Sequence, residues 1–165
     1  MKPVASATHL APMTQEQFDR YLDAAIAGYA EEKVQAGNWS AEDALPRARQ
    51  EFLKLLPQGL TTPNQHLFAI VNDAGEQVGF LWFAVVQEAT GPIAFVYDFG
   101  VDETQRRKGY GEQAFSAMED EVRALGLHTI QLHVFGHNRS AIALYEKLGY
   151  TATNVMMSKT LGPVA

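Results

Sequence analysis

Apolar residues recur at helical spacing over two stretches in the first part of the chain. Thr14 followed by Gln17 has the form of a capping box, and an apolar residue then recurs every three or four positions. Ser40 is a second helix-start signal, and Leu45 begins another apolar stripe. The pattern therefore predicts two consecutive helices within residues 14–60.

The period of the apolar positions then shortens, which indicates strands. Residues 67–71 and 78–86 are apolar runs separated by polar turn residues, which is typical of a hairpin. Residues 93–101 form a third apolar run, and residues 128–134 alternate between apolar and polar side chains. Because the first three runs are almost continuously apolar, we expect their strands to be covered on both faces.

Helical spacing returns twice in the second half of the chain. One predicted helix follows the third strand and has an apolar stripe ending at Leu125, and a shorter one runs from Asn138 to Leu148. Residues 150–160 are predicted to form a final strand. The order strand, helix, strand around the first of these helices indicates a βαβ crossover and a parallel strand pair.

Composition narrows the class of protein. The chain has 165 residues, of which 47% are apolar and 19% charged, and this suits one compact domain. The net charge of -6 argues against nucleic-acid binding through phosphate neutralisation. Without cysteine, an acyl group cannot pass through an enzyme thiol. The histidines lack the spacing of metal ligands, so we expect no metal.

No apolar stretch approaches the length of about 20 residues that a membrane-spanning helix needs. The first twelve residues also lack the basic head and apolar run of a signal peptide. We therefore expect a cytoplasmic protein that does not bind a membrane.

A short segment between the third strand and the following helix carries two glycines, and we call it the glycine loop. Its residues are Arg106, Arg107, Lys108, Gly109, Tyr110 and Gly111. The unpaired N–H groups and positive dipole end of a helix N-terminus bind phosphate oxygens. The loop lacks the Lys-Ser/Thr pair of a P-loop and the third glycine of a dinucleotide fold, which indicates a different phosphate ligand.

The glycine loop resembles the cofactor motif of the GNAT superfamily of acetyltransferases, Arg/Gln-x-x-Gly-x-Gly/Ala, at every defined position. Asn138 and residues 141–150 resemble the second conserved segment of the same family. The resemblance implies a mixed α/β GNAT fold over residues 1–165, with a central twisted sheet and helices on both faces. A splayed parallel strand pair would enclose acetyl-CoA within the cofactor-binding core, residues 66–161, and residues 14–60 would form the acceptor side.

By this resemblance, the main-chain N–H groups of the last five glycine-loop residues bind the pyrophosphate of acetyl-CoA, and Arg106 completes the motif. Phe99 and Val101 would pair with the pantetheine arm like an added strand. Asn138 would cap its helix and also contact the cofactor.

Transfer of an acetyl group to an amine needs a neutral amine, a stabilised oxyanion and a proton for the departing thiolate. Tyr145 occupies the position where many family members place a tyrosine near the thioester sulfur, so it is the candidate general acid. Asp98 interrupts an apolar strand, and a buried carboxylate must be paired or functional, which makes it the first candidate base and equally a candidate structural partner. Other candidates for the base are Tyr97, His133, Glu31 and Glu32.

The acceptor side offers acidic and aromatic residues, among which Tyr29, Glu32 and Trp82 are the candidate substrate contacts. These residues suit a cationic amine. We therefore expect an N-acetyltransferase acting on a primary amine of a small molecule or peptide. The alternatives are a non-catalytic acyl-CoA sensor and an enzyme using a longer acyl-CoA. The sequence also allows a homodimer.

Overall fold

The computed structural model describes residues 7–163. Its helices and strands, in chain order, are β1 (His9–Pro12), α1 (Gln15–Gln35), α2 (Ala41–Leu55), β2 (Gln65–Val71), β3 (Gln77–Glu88), β4 (Gly91–Val101), α3 (Tyr110–Ala124), β5 (Ile130–Leu132) and α4 (Arg139–Lys147). Short 3-10 turns at Gly59–Thr61 and Glu103–Gln105 lie before β2 and after β4.

The predicted start signals of α1 and α2 are confirmed. The Thr14 hydroxyl accepts a hydrogen bond from the N–H of Gln17, and the Gln17 side chain accepts one from the N–H of Thr14. Ser40 caps α2 by accepting from the N–H of Asp43. These contacts satisfy N–H groups that have no partner within the helices.

Two predicted apolar stripes are wrong at one position each. Leu45 is 47% exposed, and α2 instead buries Ala44 and Ala48. Small residues let α2 approach its neighbours closely, so the buried stripe lies one residue away from the position predicted from Leu45. Leu125 is exposed because it lies just after the last turn of α3 instead of within it.

The strands form one sheet in the order β1-β2-β3-β4-β5. Neighbours are antiparallel from β1 to β4, and β4 pairs with β5 in parallel. The predicted hairpin of β2 and β3 and the predicted βαβ crossover through α3 are therefore confirmed. The mixed α/β class and the central mixed sheet are confirmed as well.

The sheet is covered on both faces, as its apolar runs predict. One core cluster packs α3 against residues such as Leu81, Phe83 and Val96. The other packs α1 and α2 against residues such as Leu67 and Trp82. Alternate residues of β3 thus serve opposite cores, and this places the helical segment of residues 14–60 on the face opposite α3.

Three parts of the sheet differ from the prediction. β1 was not predicted, because its four residues have no clear apolar alternation and join β2 through main-chain pairing. The strand predicted over 128–134 contains only Ile130–Leu132. The strand predicted over 150–160 is absent, since residues 151–163 have no regular structure and are exposed. A strand needs a paired edge as well as a suitable pattern, and in the described chain this segment has none.

Candidate active site

The site lies where β4 separates from β5. The two strands pair over Ala94–Val96 only, opposite Ile130–Leu132. At that point the register between β3 and β4 shifts, because Phe83 faces Val96 whereas Trp82 faces Asp98. Tyr97 is therefore the extra residue of a β-bulge. Beyond it, β4 continues without a strand beside it.

The bulge changes which face each side chain of β4 meets. Val96 and Phe99 both pack on the α3 side of the sheet. Tyr97 packs on the opposite cluster, and the carboxylate of Asp98 meets Tyr21 of α1. In a regular strand Tyr97 and Asp98 would point to opposite faces. The bulge instead directs both side chains towards α1.

The bulge also sets the direction of the free main-chain groups. The N–H of Ala94 donates to Thr129 next to β5, at 3.0 Å, and the N–H of Asp102 donates to Val78 in β3, at 2.8 Å. Alternation back from Asp102 makes Phe99 and Val101 direct their N–H and C=O groups away from β3, into the opening. These are the two residues expected to pair with an extended pantetheine arm.

Both residues also have a partner within the protein. The N–H of Phe99 donates to Asp98 Oδ1 at 3.0 Å, and the carbonyl of Val101 accepts from Arg106 Nε at 3.1 Å. A carbonyl has two lone pairs, so the second of these contacts leaves Val101 able to accept another hydrogen bond. Arg106 thereby connects the end of β4 to the glycine loop.

The glycine loop makes a tight turn into α3. Arg107 and Gly109 both have positive φ, at 63° and 83°. Such a conformation is unfavourable for a residue with a side chain, and strained residues of this kind concentrate at functional sites. In residues 7–163 no acceptor is hydrogen-bonded to the N–H groups from Arg107 to Gly111. The side chain of Tyr110 is buried in the core, so this residue offers the solvent mainly its main chain.

A cleft of about 1040 Å³ opens next to β4 and the loop. It runs between α1 and the separated ends of β4 and β5. Of the predicted site residues, it brings together Tyr29, Glu32, Trp82, Asp98, Phe99, Val101, Arg106, Asn138 and Tyr145. Glu31 does not line it, although it was a candidate base.

Asp98 is held by two donors. The hydroxyl of Tyr21 donates to its Oδ2 at 2.7 Å, and the N–H of Phe99 donates to its Oδ1. Burial raises the pKa of Asp98 to about 6, although both hydrogen bonds act in the opposite direction. A carboxylate with this pKa is ionised at neutral pH and can still bind a proton readily.

Tyr145 reaches the cleft from α4. Its ring packs against Phe115 and Tyr150, with centroids 5.5 and 5.9 Å away. Burial, with a smaller effect of the negative charges of Asp98 and Glu32, raises the pKa of Tyr145 to about 12. The phenol is therefore protonated at neutral pH and can act as a donor. Asn138 caps the same helix by accepting from the N–H of Ala141.

The α1 side of the cleft contains the predicted acceptor residues in different environments. The hydroxyl of Tyr29 donates to Glu51 at 2.8 Å. Burial raises the pKa of Glu32, and the charge of His137 opposes this shift. Trp82 is 1% exposed and its indole N–H donates to Gln65, so it can contribute only to the floor of the cleft.

Three residues of the site were not found from the sequence. Tyr21 is the partner of Asp98, and Glu51 is the partner of Tyr29. The ammonium of Lys33 lies 5.2 Å from the ring centroid of Trp39 and also faces Tyr29. Each lies on a helix whose residues meet β4 or each other only in the tertiary structure, so only the spacing of Tyr21 after Phe18 gave any signal.

Two kinds of site are not found in the described residues. Within residues 7–163, no group of three His, Asp or Glu side chains is arranged to hold a metal ion. No helix of this part of the chain is long and apolar enough to cross a membrane.

Comparison with known families gives one match by family model. The model described as the acetyltransferase (GNAT) family matches residues 22–150. The matched range contains β4, the glycine loop and α4, which are the elements that carry the site.

Similar proteins come from several bacteria. The uncharacterized N-acetyltransferase YycN of Bacillus subtilis (strain 168) is 45% identical over 152 residues, which cover 92% of this chain and 97% of that protein. YdgE of the same organism is 34% identical over the same shares of the two chains. A mycothiol acetyltransferase of Thermobispora bispora is 34% identical over 122 residues, covering 72% of this chain and 38% of that protein.

Solved structures agree with the sequence matches. The crystal structure of YycN from Bacillus subtilis superposes with a TM-score of 0.89 at 44% identity, covering 94% of this chain and 99% of that one. The aminoglycoside acetyltransferase meta-AAC0020, solved with sisomicin, has a TM-score of 0.59 at 19% identity, covering 94% of this chain and 97% of that one. The second likeness is one of fold alone.

Proposed function

Because the chain belongs to the GNAT family of acetyltransferases, we propose that it transfers an acetyl group from acetyl-CoA directly to a primary amine of a small molecule or peptide. Membership of the family makes the protein an acyltransferase. The observation that carries the proposal is the cleft, which connects the glycine loop, the open edge of β4, Tyr145 and Asp98 in one space.

The residues available for acetyl-CoA fit its parts in order along the cleft. Free N–H groups from Arg107 to Gly111, at the N-terminus of α3, suit the pyrophosphate. Phe99 and Val101 present their main chain to the opening and suit the amide groups of an extended pantetheine arm. Asn138 and Tyr145 lie on the opposite wall of the cleft, so the thioester would lie between α4 and the bulge of β4.

In the proposed reaction the amine nitrogen bonds to the thioester carbonyl carbon and the carbon–sulfur bond breaks. The sulfur leaves with a proton that Tyr145 donates, and Asp98 accepts the proton that the amine loses. A main-chain N–H near the bulge at Tyr97 would stabilise the oxyanion. No thiol of the protein is needed, because the chain has no cysteine.

The acceptor would enter from the α1 side, which is formed by the helices of residues 14–60. Glu32 and Asp98 provide carboxylates there, and the rings of Tyr29 and Tyr97 provide apolar walls. Together these groups favour an acceptor that carries a positive charge next to an apolar body. Trp82 would support this wall from beneath.

Two alternatives keep the same cofactor site. A sensor would bind acyl-CoA without turnover, and an enzyme for longer acyl groups would bind the same loop but prefer a larger donor. The retention of Tyr145 and Asp98 in the cleft favours catalysis over sensing.

The test is an acceptor screen that measures release of the CoA thiol from acetyl-CoA. Polyamines, aminoglycosides, amino acids and lysine-containing peptides are each compared with the matching N-acetylated compound. We expect thiol release that depends on the free amine, with acetyl-CoA preferred over longer acyl-CoA donors. CoA binding without release for any acceptor would support the sensor, and no CoA binding at all would refute the proposal.

A further inference from the structure

The chain after Tyr150 leaves the body of the protein while retaining the composition of a strand. Residues 151–163 are exposed throughout and have no regular structure. Met156 and Met157 are 93% and 89% exposed, and Val155 and Leu161 are also exposed. Several large apolar side chains in one exposed segment indicate that a partner covers them.

The point where this segment leaves the body is firmly held. The N–H of Tyr150 donates to the carbonyl of Tyr145 at 2.9 Å, and its ring packs against Phe115. Gly149 turns the chain there with a φ of 94°. The direction in which the segment leaves is therefore set by packed residues.

The sheet has an open edge next to this point. Since the N–H of Ala94 donates to the carbonyl of Thr129, alternation along β5 directs the N–H and C=O groups of Ile130 and Leu132 away from β4. Within residues 7–163, no strand pairs with that side of β5. An open strand edge of this kind is a template for pairing with another chain.

A cleft of about 690 Å³ separates this edge from the chain that leaves α4. Thr129, Ile130 and Gln131 line one side, and Tyr150 and Thr153 line the other. Neighbouring strands of a sheet lie about 4.8 Å apart. The cleft is thus bounded by an unpaired strand on one side and extended chain on the other, and it has the form of a vacant strand position.

We propose that residues 155–161 of a second copy of this chain occupy the cleft and pair with β5, while the same segment of the first copy pairs with β5 of the second. A reciprocal exchange uses the same two surfaces on both copies and closes as a two-fold dimer. It would cover Val155, Met157 and Leu161, which alternate along the segment, and would pair the free groups of β5.

Charge agrees with this occupant. Lys159 is the one charged residue of the segment 151–163, and Glu119 lines the cleft. The own segment of each copy lies outside its own cleft, because its side chains from Thr151 onward are exposed. A second copy therefore offers the segment with the required pattern, while the first copy keeps its own segment extended.

Light scattering after size-exclusion chromatography measures the dimer over a range of protein concentrations. We expect a dimer for the natural chain, and for Met157→Asp a dimer Kd that is raised at least about tenfold, because a charge would be buried in the cleft. Leu53→Asp is the matched control: it places the same charge on an exposed leucine of α2 and should leave the dimer unchanged. A monomeric natural chain, or equal effects of both variants, would overturn the proposal.

Cysteine pairs distinguish exchange from a fold-back within one chain, because the natural chain has no cysteine. Gln131→Cys is combined in turn with cysteine at positions 155, 157 and 159, and each variant is oxidised and run on a non-reducing gel. Exchange predicts a disulfide between two chains for at least one pair. Disulfides formed only within one chain, or none in any pair, would overturn it. Circular dichroism confirms that each variant is folded.

Discussion

At the scale of single residues, Asp98 has opposing influences on its charge. Burial favours its protonated form, whereas the hydroxyl of Tyr21 and the N–H of Phe99 stabilise the ionised form. The proposed base is ionised above its pKa, so its capacity to accept a proton from the amine should increase as the pH rises through about 6.

The pKa of Asp98 can be measured directly from the carboxyl ¹³C shift in an NMR titration. We expect a midpoint near pH 6. Tyr21→Phe removes a donor to the ionised form, so it should move the midpoint upward by about one pH unit. Tyr29→Phe is the matched control, since its hydroxyl bonds Glu51 instead. A midpoint near 4 in the natural chain would contradict the burial of this carboxylate.

Tyr145→Phe tests the proton donor. It should lower kcat by about 10²-fold, which is the lower end of the range for general acid catalysis, and leave the Kd for CoA within about twofold. Because the pKa of Tyr145 is about 12, the natural enzyme should lose no activity through this group between pH 6 and 10.

Tyr150→Phe is the control for that variant. Its ring packs against the same Phe115, but Tyr150 does not line the cleft of the proposed site. The loss of its hydroxyl should leave kcat nearly unchanged. Equal activity of both variants would remove Tyr145 from the chemistry.

The sequence indicated Asp98 because a carboxylate within an apolar strand stands out. It did not indicate Tyr21, which lies 77 positions away in the chain and fits an ordinary apolar helix stripe. Candidate groups could therefore be predicted one by one. Their partners, which set the pKa values and orientations, depend on which helix packs over which strand.

At the scale of elements, the glycine loop and α3 form one unit whose two ends allow a controlled comparison. Gly109 precedes α3 with a φ of 83°, and Gly126 follows it with a φ of 77°. A Cβ at either position would meet no atom within 4 Å. Alanine should therefore strain both positions equally, by about 1 kcal/mol, without a steric clash.

We expect Gly109→Ala and Gly126→Ala to lower the free energy of unfolding by similar amounts in urea titrations. Only Gly109→Ala should weaken acetyl-CoA binding, at least about fivefold in calorimetry, because the strain shifts the N–H groups next to the pyrophosphate. Equal CoA affinity of the two variants would show that the turn conformation at Gly109 does not matter for binding.

Most elements could be predicted from the period of the apolar residues, as the caps of α1 and α2 and the βαβ unit confirm. The bulge at Tyr97 could not, because an extra residue in an apolar strand leaves the pattern almost unchanged. The segment 150–160 shows the opposite case: its pattern is that of a strand, but in the described chain it has no neighbour to pair with.

At the scale of the whole molecule, the sheet separates two cores with different duties. The core on the α3 side holds the glycine loop, Phe99 and Tyr145, and the core on the α1 side holds Tyr21, Trp82 and Tyr97. The cleft lies where the two sides meet at the gap between β4 and β5. This arrangement explains how one domain could hold a donor from one side and an acceptor from the other.

The central claim is that acetyl-CoA binds along the gap between β4 and β5, with its pyrophosphate at the glycine loop. A ¹⁵N NMR titration of the natural chain with CoA tests it most directly. The account predicts saturable shifts of the amides of residues 107–111, Phe99 and Val101, while the amides of β1 and α2 change little. Shifts confined to other parts of the chain, or no shifts at millimolar CoA, would contradict it.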